Sequence, residues 1–144
     1  MTEAPADTFG ETSNIPIAGE DDIVAARGAA REVAKVLRFS AVDQSRIATA
    51  VSELARNIVR YATDGRGDVQ IRALRAADGR IAIEVLVRDS GPGIADIDQA
   101  LAEGYTSGHG LGMGLPGAKR LMDEMEIDSA PGRGTHITIR KWRR

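Results

Sequence analysis

The sequence predicts a two-layer α+β sandwich, a mixed but mostly antiparallel sheet with helices on one face. Three observations carry that prediction. Two segments repeat apolar residues at helical spacing: Ile23, Ala26, Ala30, Val33, Ala34 and Leu37, then Ile47, Val51, Leu54 and Ile58. Two alternating runs meet at Ala77-Asp78-Gly79, and an Asp-Gly pair between such runs signals a hairpin. A last pair of runs turns at Pro131-Gly132-Arg133-Gly134. A chain of 144 residues suits one domain with a real core.

Taken in order, residues 1–14 hold little to bury and are expected as a mobile tail, with the domain spanning 15–144. Asn14-Ile15-Pro16-Ile17 suits a short edge strand, because proline lacks a ladder donor. Glu20-Asp21-Asp22 supply the negative charge that favours a helix N-terminus. A second helix opens over Ser40–Gln44 and runs to about Ala62. Strands are expected near Asp68–Ala76 and Arg80–Arg88. In the second, Ile81, Ile83, Val85 and Val87 form a uniformly apolar face, alternating with Ala82, Glu84, Leu86 and Arg88. A short helix is expected over Ile97–Ala102 and another from about Leu115 to Met125, with Pro116 in its first turn. The final hairpin pairs Ile127–Ala130 with Thr135–Trp142.

Composition narrows the function classes. Nineteen basic and 21 acidic side chains leave a net charge of -2, which removes any global electrostatic case for nucleic acid. The basic end, Arg140-Lys141-Trp142-Arg143-Arg144, reads as a solvated strand end. With no cysteine there is neither a disulfide framework nor a Cys-ligated zinc, in keeping with a reducing cytoplasm. No apolar run is long enough for a bilayer, and the polar start is unlike a signal peptide. A cytoplasmic protein without membrane contact is expected.

Three elements could carry chemistry. Glu53 and Asn57 stand four apart on the second helix, within roughly 40° of each other at the flank of its apolar stripe. Asn57 offers a neutral oxygen suited to a Mg²⁺ that keeps most of its waters, and Glu53 could take a proton from a hydroxyl. Both also read as surface residues of an amphipathic helix. Asp89 closes an apolar strand and precedes Gly91 and Gly93. There a carboxylate could accept from an exocyclic amine while backbone without Cβ atoms lets a flat ring lie close, or the segment is an ordinary turn. The third element is GYTSGHGLGMGLPG, in which six of fourteen residues are glycine. Gly112 to Gly117 fits G-x-G-x-x-G, but Gly104 to Gly110 is not the strand that fingerprint requires. No Gly-Lys-Ser/Thr follows, so a Walker A loop fails as well. A glycine-rich lid whose amides meet phosphates remains, beside a flexible loop with no ligand. His109 and the helical Lys119 and Arg120 could touch phosphate or simply face solvent.

Together the elements run E-x-x-x-N on a helix, D-x-G-x-G after a strand, G-x-G-x-G before a helix, then Gly-Thr on a last strand. In that order the sequence resembles the GHKL ATPases, which use the Bergerat nucleotide-binding fold. Within them it resembles the anti-sigma-factor type of serine/threonine kinase and the stressosome switch kinases. VSELARNIVRYA, VRDSGPGI, GLGMGLPGAKRLMDEMEI and GTHITIRKW carry the likeness. The resemblance implies Mg²⁺ at Asn57 and hydroxyl activation by Glu53. It implies adenine at Asp89, with Gly91 and Gly93 shaping the ring pocket and Thr135 beside it. Gly110, Gly112 and Gly114 would surround the ATP phosphates, with Arg56 a phosphate or partner contact. Ser90, where glutamine is familiar, and His109 within the lid depart from the pattern.

The implied activity is transfer of the γ-phosphoryl group of ATP to a serine or threonine of a STAS-domain protein. Release to a PP2C-type phosphatase regulator would follow. The alternative is an anti-sigma factor that binds a sigma factor and is controlled by an antagonist. The resemblance also admits a homodimer. A detached histidine-kinase catalytic domain would need a phospho-accepting helical hairpin ahead of the fold, and none precedes it in this sequence. A nucleotide-free structural domain would leave Glu53, Asn57, Asp89 and the glycines without a joint explanation.

Overall fold

The computed structural model describes residues 6–62, 64–93 and 114–144. In chain order these form β1 (Ala6–Ile17), α1 (Glu20–Val36), α2 (Ala41–Tyr61), β2 (Gly67–Ala76), β3 (Ile81–Asp89), α3 (Gly114–Leu121), β4 (Glu124–Ser129) and β5 (Thr135–Trp142). Short polar groups set the helix starts. The Asp22 carboxylate accepts from the Ala18 and Gly19 amides at 2.8 and 3.2 Å, and Ser40 Oγ accepts from the Asp43 amide at 3.1 Å. α1 stops where Arg38 turns into the left-handed region, at φ +67°.

The strands join in the order β1-β2-β3-β5-β4, and every ladder among the described residues is antiparallel. The helices cover one face. Ile23, Ala26, Ala30 and Ala34 of α1 and Ile47, Val51, Leu54 and Ile58 of α2 share a buried cluster with Val69, Ile71, Ile83, Val85, Val87, Ile137 and Ile139. Each fully buried branched side chain there contributes about 1.5–3 kcal/mol. Both apolar helix stripes and the apolar face of β3 are thus where periodicity put them.

Among the described residues, the opposite face bears charge beside a small apolar cluster of Leu74, Ala76, Ala82 and Trp142. Arg72, Glu84, Arg140 and Glu124 lie in one cross-strand row on β2, β3, β5 and β4. Glu84 is only 2% exposed because the guanidinium groups of Arg72 and Arg140 clasp it from both sides. Burial works against the Arg140 charge, but the hydrogen bond and charge of Glu84, with Glu124 and Glu126, hold its pKa above the usual arginine value.

The sheet edges are β1 and β4. Edge β4 places Glu124, Glu126 and Asp128 at alternate positions, while β1 carries Pro16 and a register shift between Phe9 and Ser13.

Two expectations are corrected. Residues 6–14, expected in a mobile tail, extend β1 well beyond Asn14–Ile17 and pair with β2 as far as Ala6–Ala76. Their polar side chains give no burial signal, yet a ladder needs only backbone groups, and Arg75 stacks 4.5 Å from the centre of the Phe9 ring. The helix expected to reach Met125 ends at Leu121. There the Asp123 amide donates to Arg140 O at 2.9 Å, its carboxylate accepts from the Trp142 amide at 2.8 Å, and Met125 pairs with Ile139. Pairing with β5 overrides the helical spacing. Lys141, buried, donates to Leu121 O at 2.9 Å and closes the last turn of α3. The expected helix over Ile97–Ala102 lies outside the described residues.

Candidate nucleotide site

Four small or polar residues finish the strands at one end of the sheet. Gly67, Asp89, Thr135 and Ser129 are register partners across β2, β3, β5 and β4. Two residues inward along the same strands lie Val69, Val87, Ile137 and Ile127, all packed in the core or against it. Strand side chains alternate faces, so the polar row belongs to the helix-covered face, just past the end of the apolar layer. The Ile58 side chain of α2 packs directly over Gly67. That brings the turn of α2 bearing Asn57 above the Asp89 end of the sheet.

Asp89 is fixed by its own loop, since its Oδ1 accepts from the Gly91 amide at 2.7 Å. A second segment then locks the loop. The Gly132 amide donates to Pro92 O at 2.7 Å. Gly93 and Gly134 have φ of +81° and +75°. A Cβ on Gly93 would stand 2.0 Å from Ala130 O, and one on Gly134 would stand 2.2 Å from Asp89 O. Both positions therefore demand glycine, for backbone angle and for space. The Pro-Gly-Arg-Gly turn, legible only as a hairpin connection, is in fact the backing of the Asp89 loop.

On α2, Glu53 and Asn57 share a partly exposed flank, as the helical spacing implies. Arg56 Nη1 donates to Glu53 Oε1 at 3.1 Å, with the two side chains 30% and 18% exposed. Arg56 thus engages the carboxylate itself, through one of its two oxygens. The described residues contain no cluster of three or more His, Cys, Asp or Glu that could hold a metal alone. Gly114 opens α3, whose Leu115, Pro116, Gly117 and Ala118 are buried while Lys119 and Arg120 face outward. Gly110, Gly112 and His109 lie outside the described residues.

Sequence reasoning missed Ser129. Its hydroxyl donates to Gly134 O at 2.8 Å and lies 3.0 Å from Thr135 Oγ1. A serine before a turn carries no local signal; only the β4–β5 register brings it to the row. A groove of about 270 Å³ on the opposite face, floored by Leu86 and Thr138 and rimmed by Glu126 and His136, touches none of these residues.

The chain and its fold are matched by known proteins. The family model of the histidine kinase-like ATPase domain matches residues 18–141. The chain belongs to that family. It is 48% identical over 134 residues to the serine/threonine-protein kinase RsbT of Bacillus subtilis, covering 93% of this chain and 98% of that one. It is 37% identical over 100 residues to an anti-sigma F factor of Caldanaerobacter subterraneus, covering 67% of this chain and 68% of that one. Among solved structures, the RsbU and RsbW domains of a Mycobacterium tuberculosis protein superpose with a TM-score of 0.61 at 24% identity, covering 94% of this chain and 33% of that one. The mycobacterial sensor histidine kinase MprB gives 0.55 at 20%, covering 94% of this chain and 99% of that one. Both structures share the fold. The chain is thus a homologue of RsbT with the ATPase fold of the histidine kinases. No helix among the described residues is long and apolar enough to cross a membrane.

Proposed function

We propose that the protein is an ATP-dependent serine/threonine kinase of a partner-switching pathway. It would phosphorylate a STAS-domain protein and afterwards engage a PP2C-type phosphatase regulator. The observation that carries this reading is the 48% identity to RsbT over nearly the whole of both chains. It is supported by Glu53 and Asn57 on one partly exposed flank of α2 and by Asp89 and Thr135 as register partners beneath the same helix.

In this reading Asp89 accepts from the adenine amine, and Thr135 lies beside it. Gly91 and Gly93 keep backbone, not side chain, against the ring. Gly110, Gly112 and Gly114 present amides to the phosphates. Asn57 holds Mg²⁺, which when bound offsets charge on the β- and γ-phosphates. Glu53 accepts the hydroxyl proton as the serine or threonine oxygen bonds to the γ-phosphorus. The bond from that phosphorus to the bridging oxygen breaks, and ADP departs with the electron pair. Phosphoryl transfer asks mainly for positioning and charge compensation, which suits a small domain that borrows its substrate's surface.

The test is transfer from γ-labelled ATP to a purified STAS-domain protein, with Glu53→Ala and Asn57→Ala in parallel. The expected result is an acid-stable phosphoprotein in wild type and a rate about 10²–10⁴-fold lower in Glu53→Ala, the usual worth of a general base. Asn57→Ala should show no Mg²⁺-dependent transfer. Full activity in either variant would remove that residue from its role. The identity to anti-sigma F factors favours a second reading, an ATP-regulated module that sequesters a sigma factor. Mg·ATP binding without transfer, together with capture of a sigma factor, would select it.

A further inference from the structure

Arg56 has its partner on its own helix, for its Nη1 donates to Glu53 Oε1 at 3.1 Å. We infer that Arg56 is a positioning residue, one that holds the Glu53 carboxylate in a single direction for proton transfer and does not itself contact phosphate or partner. The inference rests on the reading of Glu53 as the base. No other ion pair between described residues reaches Glu53, Asn57 or Asp89. A general base works only within about 2.6–3.2 Å of the proton it takes. Glutamate is among the side chains with most rotamer freedom to lose, and on a partly exposed flank it would sweep past that distance unless restrained.

The restraint has a rigid base. Both residues stand on the continuous helix α2, whose Leu54, Ala55 and Ile58 are buried, so the helix cannot roll beneath them. At about 100° per residue, Arg56 lies about 60° to one side of Glu53 and Asn57 about 40° to the other. The tether is therefore on the side away from Asn57 and does not come between the two site residues. A guanidinium is planar, with donors in fixed directions, so it sets where the carboxylate points as well as answering its charge. With the two side chains 30% and 18% exposed, water competes for both. Such a pair biases the carboxylate's direction rather than locking it, which bounds the effect to be expected.

The experiment is single-turnover transfer from γ-labelled ATP to a purified STAS-domain protein, with calorimetric ATP binding alongside, using the full chain. Arg56→Met keeps an apolar stem and removes the donors. Its transfer rate should fall about two- to fivefold, the hold that a partly exposed ion pair exerts, while ATP affinity stays at the wild-type value. Arg56→Lys returns the charge without the planar fork and should recover part of the rate. On a Glu53→Gln background, Arg56→Met should slow transfer no further, because the arginine acts through the carboxylate. Arg60→Met removes an exposed cation from the same helix without touching the pair, and should transfer at the wild-type rate. A merely structural role, or a contact to the substrate protein, would slow transfer equally on both backgrounds, and that result overturns the inference. So does weaker ATP binding in Arg56→Met, which would make the residue a phosphate contact. An unchanged or faster rate in Arg56→Met overturns it as well, since the pair would then be idle or a restraint on activity. A wild type that transfers nothing would take down the kinase reading, and the inference with it.

Discussion

The two faces of the sheet use polar residues in opposite ways. On the open face, Glu84 is clasped by Arg72 and Arg140, Arg140 reaches Glu124, and Glu124 accepts from the Trp142 indole. Every charge in that row is answered from within the chain. On the helix-covered face, Asp89 answers one amide of its own loop, and the Thr135 hydroxyl reaches Ser129. The first row completes a structure. The second leaves carboxylate acceptor capacity at the end of the helix-covered face, which is what a ligand needs.

The comparison can be broken by substitutions that should move stability on one face and binding on the other. The largest effect is expected where the two are joined. Gly134→Ala puts a methyl against Asp89 O at an unfavourable φ, so it should cost about 4 kcal/mol in denaturant unfolding and abolish ATP binding by calorimetry. Glu84→Gln leaves two guanidinium groups without their shared charge; a loss of about 3 kcal/mol is expected, with ATP affinity unchanged. If Glu84→Gln instead weakened ATP binding as much as stability, the separation of the faces would fail. Asp89→Asn keeps an oxygen for the Gly91 amide but removes the charge. ATP affinity should drop about 10- to 100-fold while the melting temperature holds within a degree or two. The smallest effect is expected at the left-handed end of α1, where Arg38→Gly should raise stability by about 0.5–1 kcal/mol in thermal or urea unfolding without touching activity.

What was legible in the sequence follows from the range of each interaction. The stripe Ile47, Val51, Leu54 and Ile58 is local, and it fixes which side of α2 leaves Glu53 and Asn57 partly exposed. The strand ending at Asp89 could likewise be read from alternation and turn chemistry. The burial of Glu84 could not. It sits at a position that alternation assigns to solvent, and its partners stand 12 and 56 residues away. Ser129 escaped for the same reason, because its meaning depends on which strand lies beside β4. β1 was hidden by composition: a polar edge strand is held by ladder bonds that any side chain permits. The glycine cluster, the strongest signal in the sequence, falls largely in residues 94–113, outside those described.

The acids along β4 have a consequence for how this protein meets others. If two copies added edge to edge with β4 antiparallel about Glu126, Glu126 would face its own copy and Glu124 would face Asp128. Like charges placed opposite each other oppose strand pairing, as do the proline and the register shift on the other edge. The sheet resists growing sideways into a shared one. Recognition must then be written in side chains and loops, which can be released again, rather than in a continuous ladder of backbone hydrogen bonds. For a protein whose proposed task is to leave one partner for another, a grip that can be undone is the useful kind.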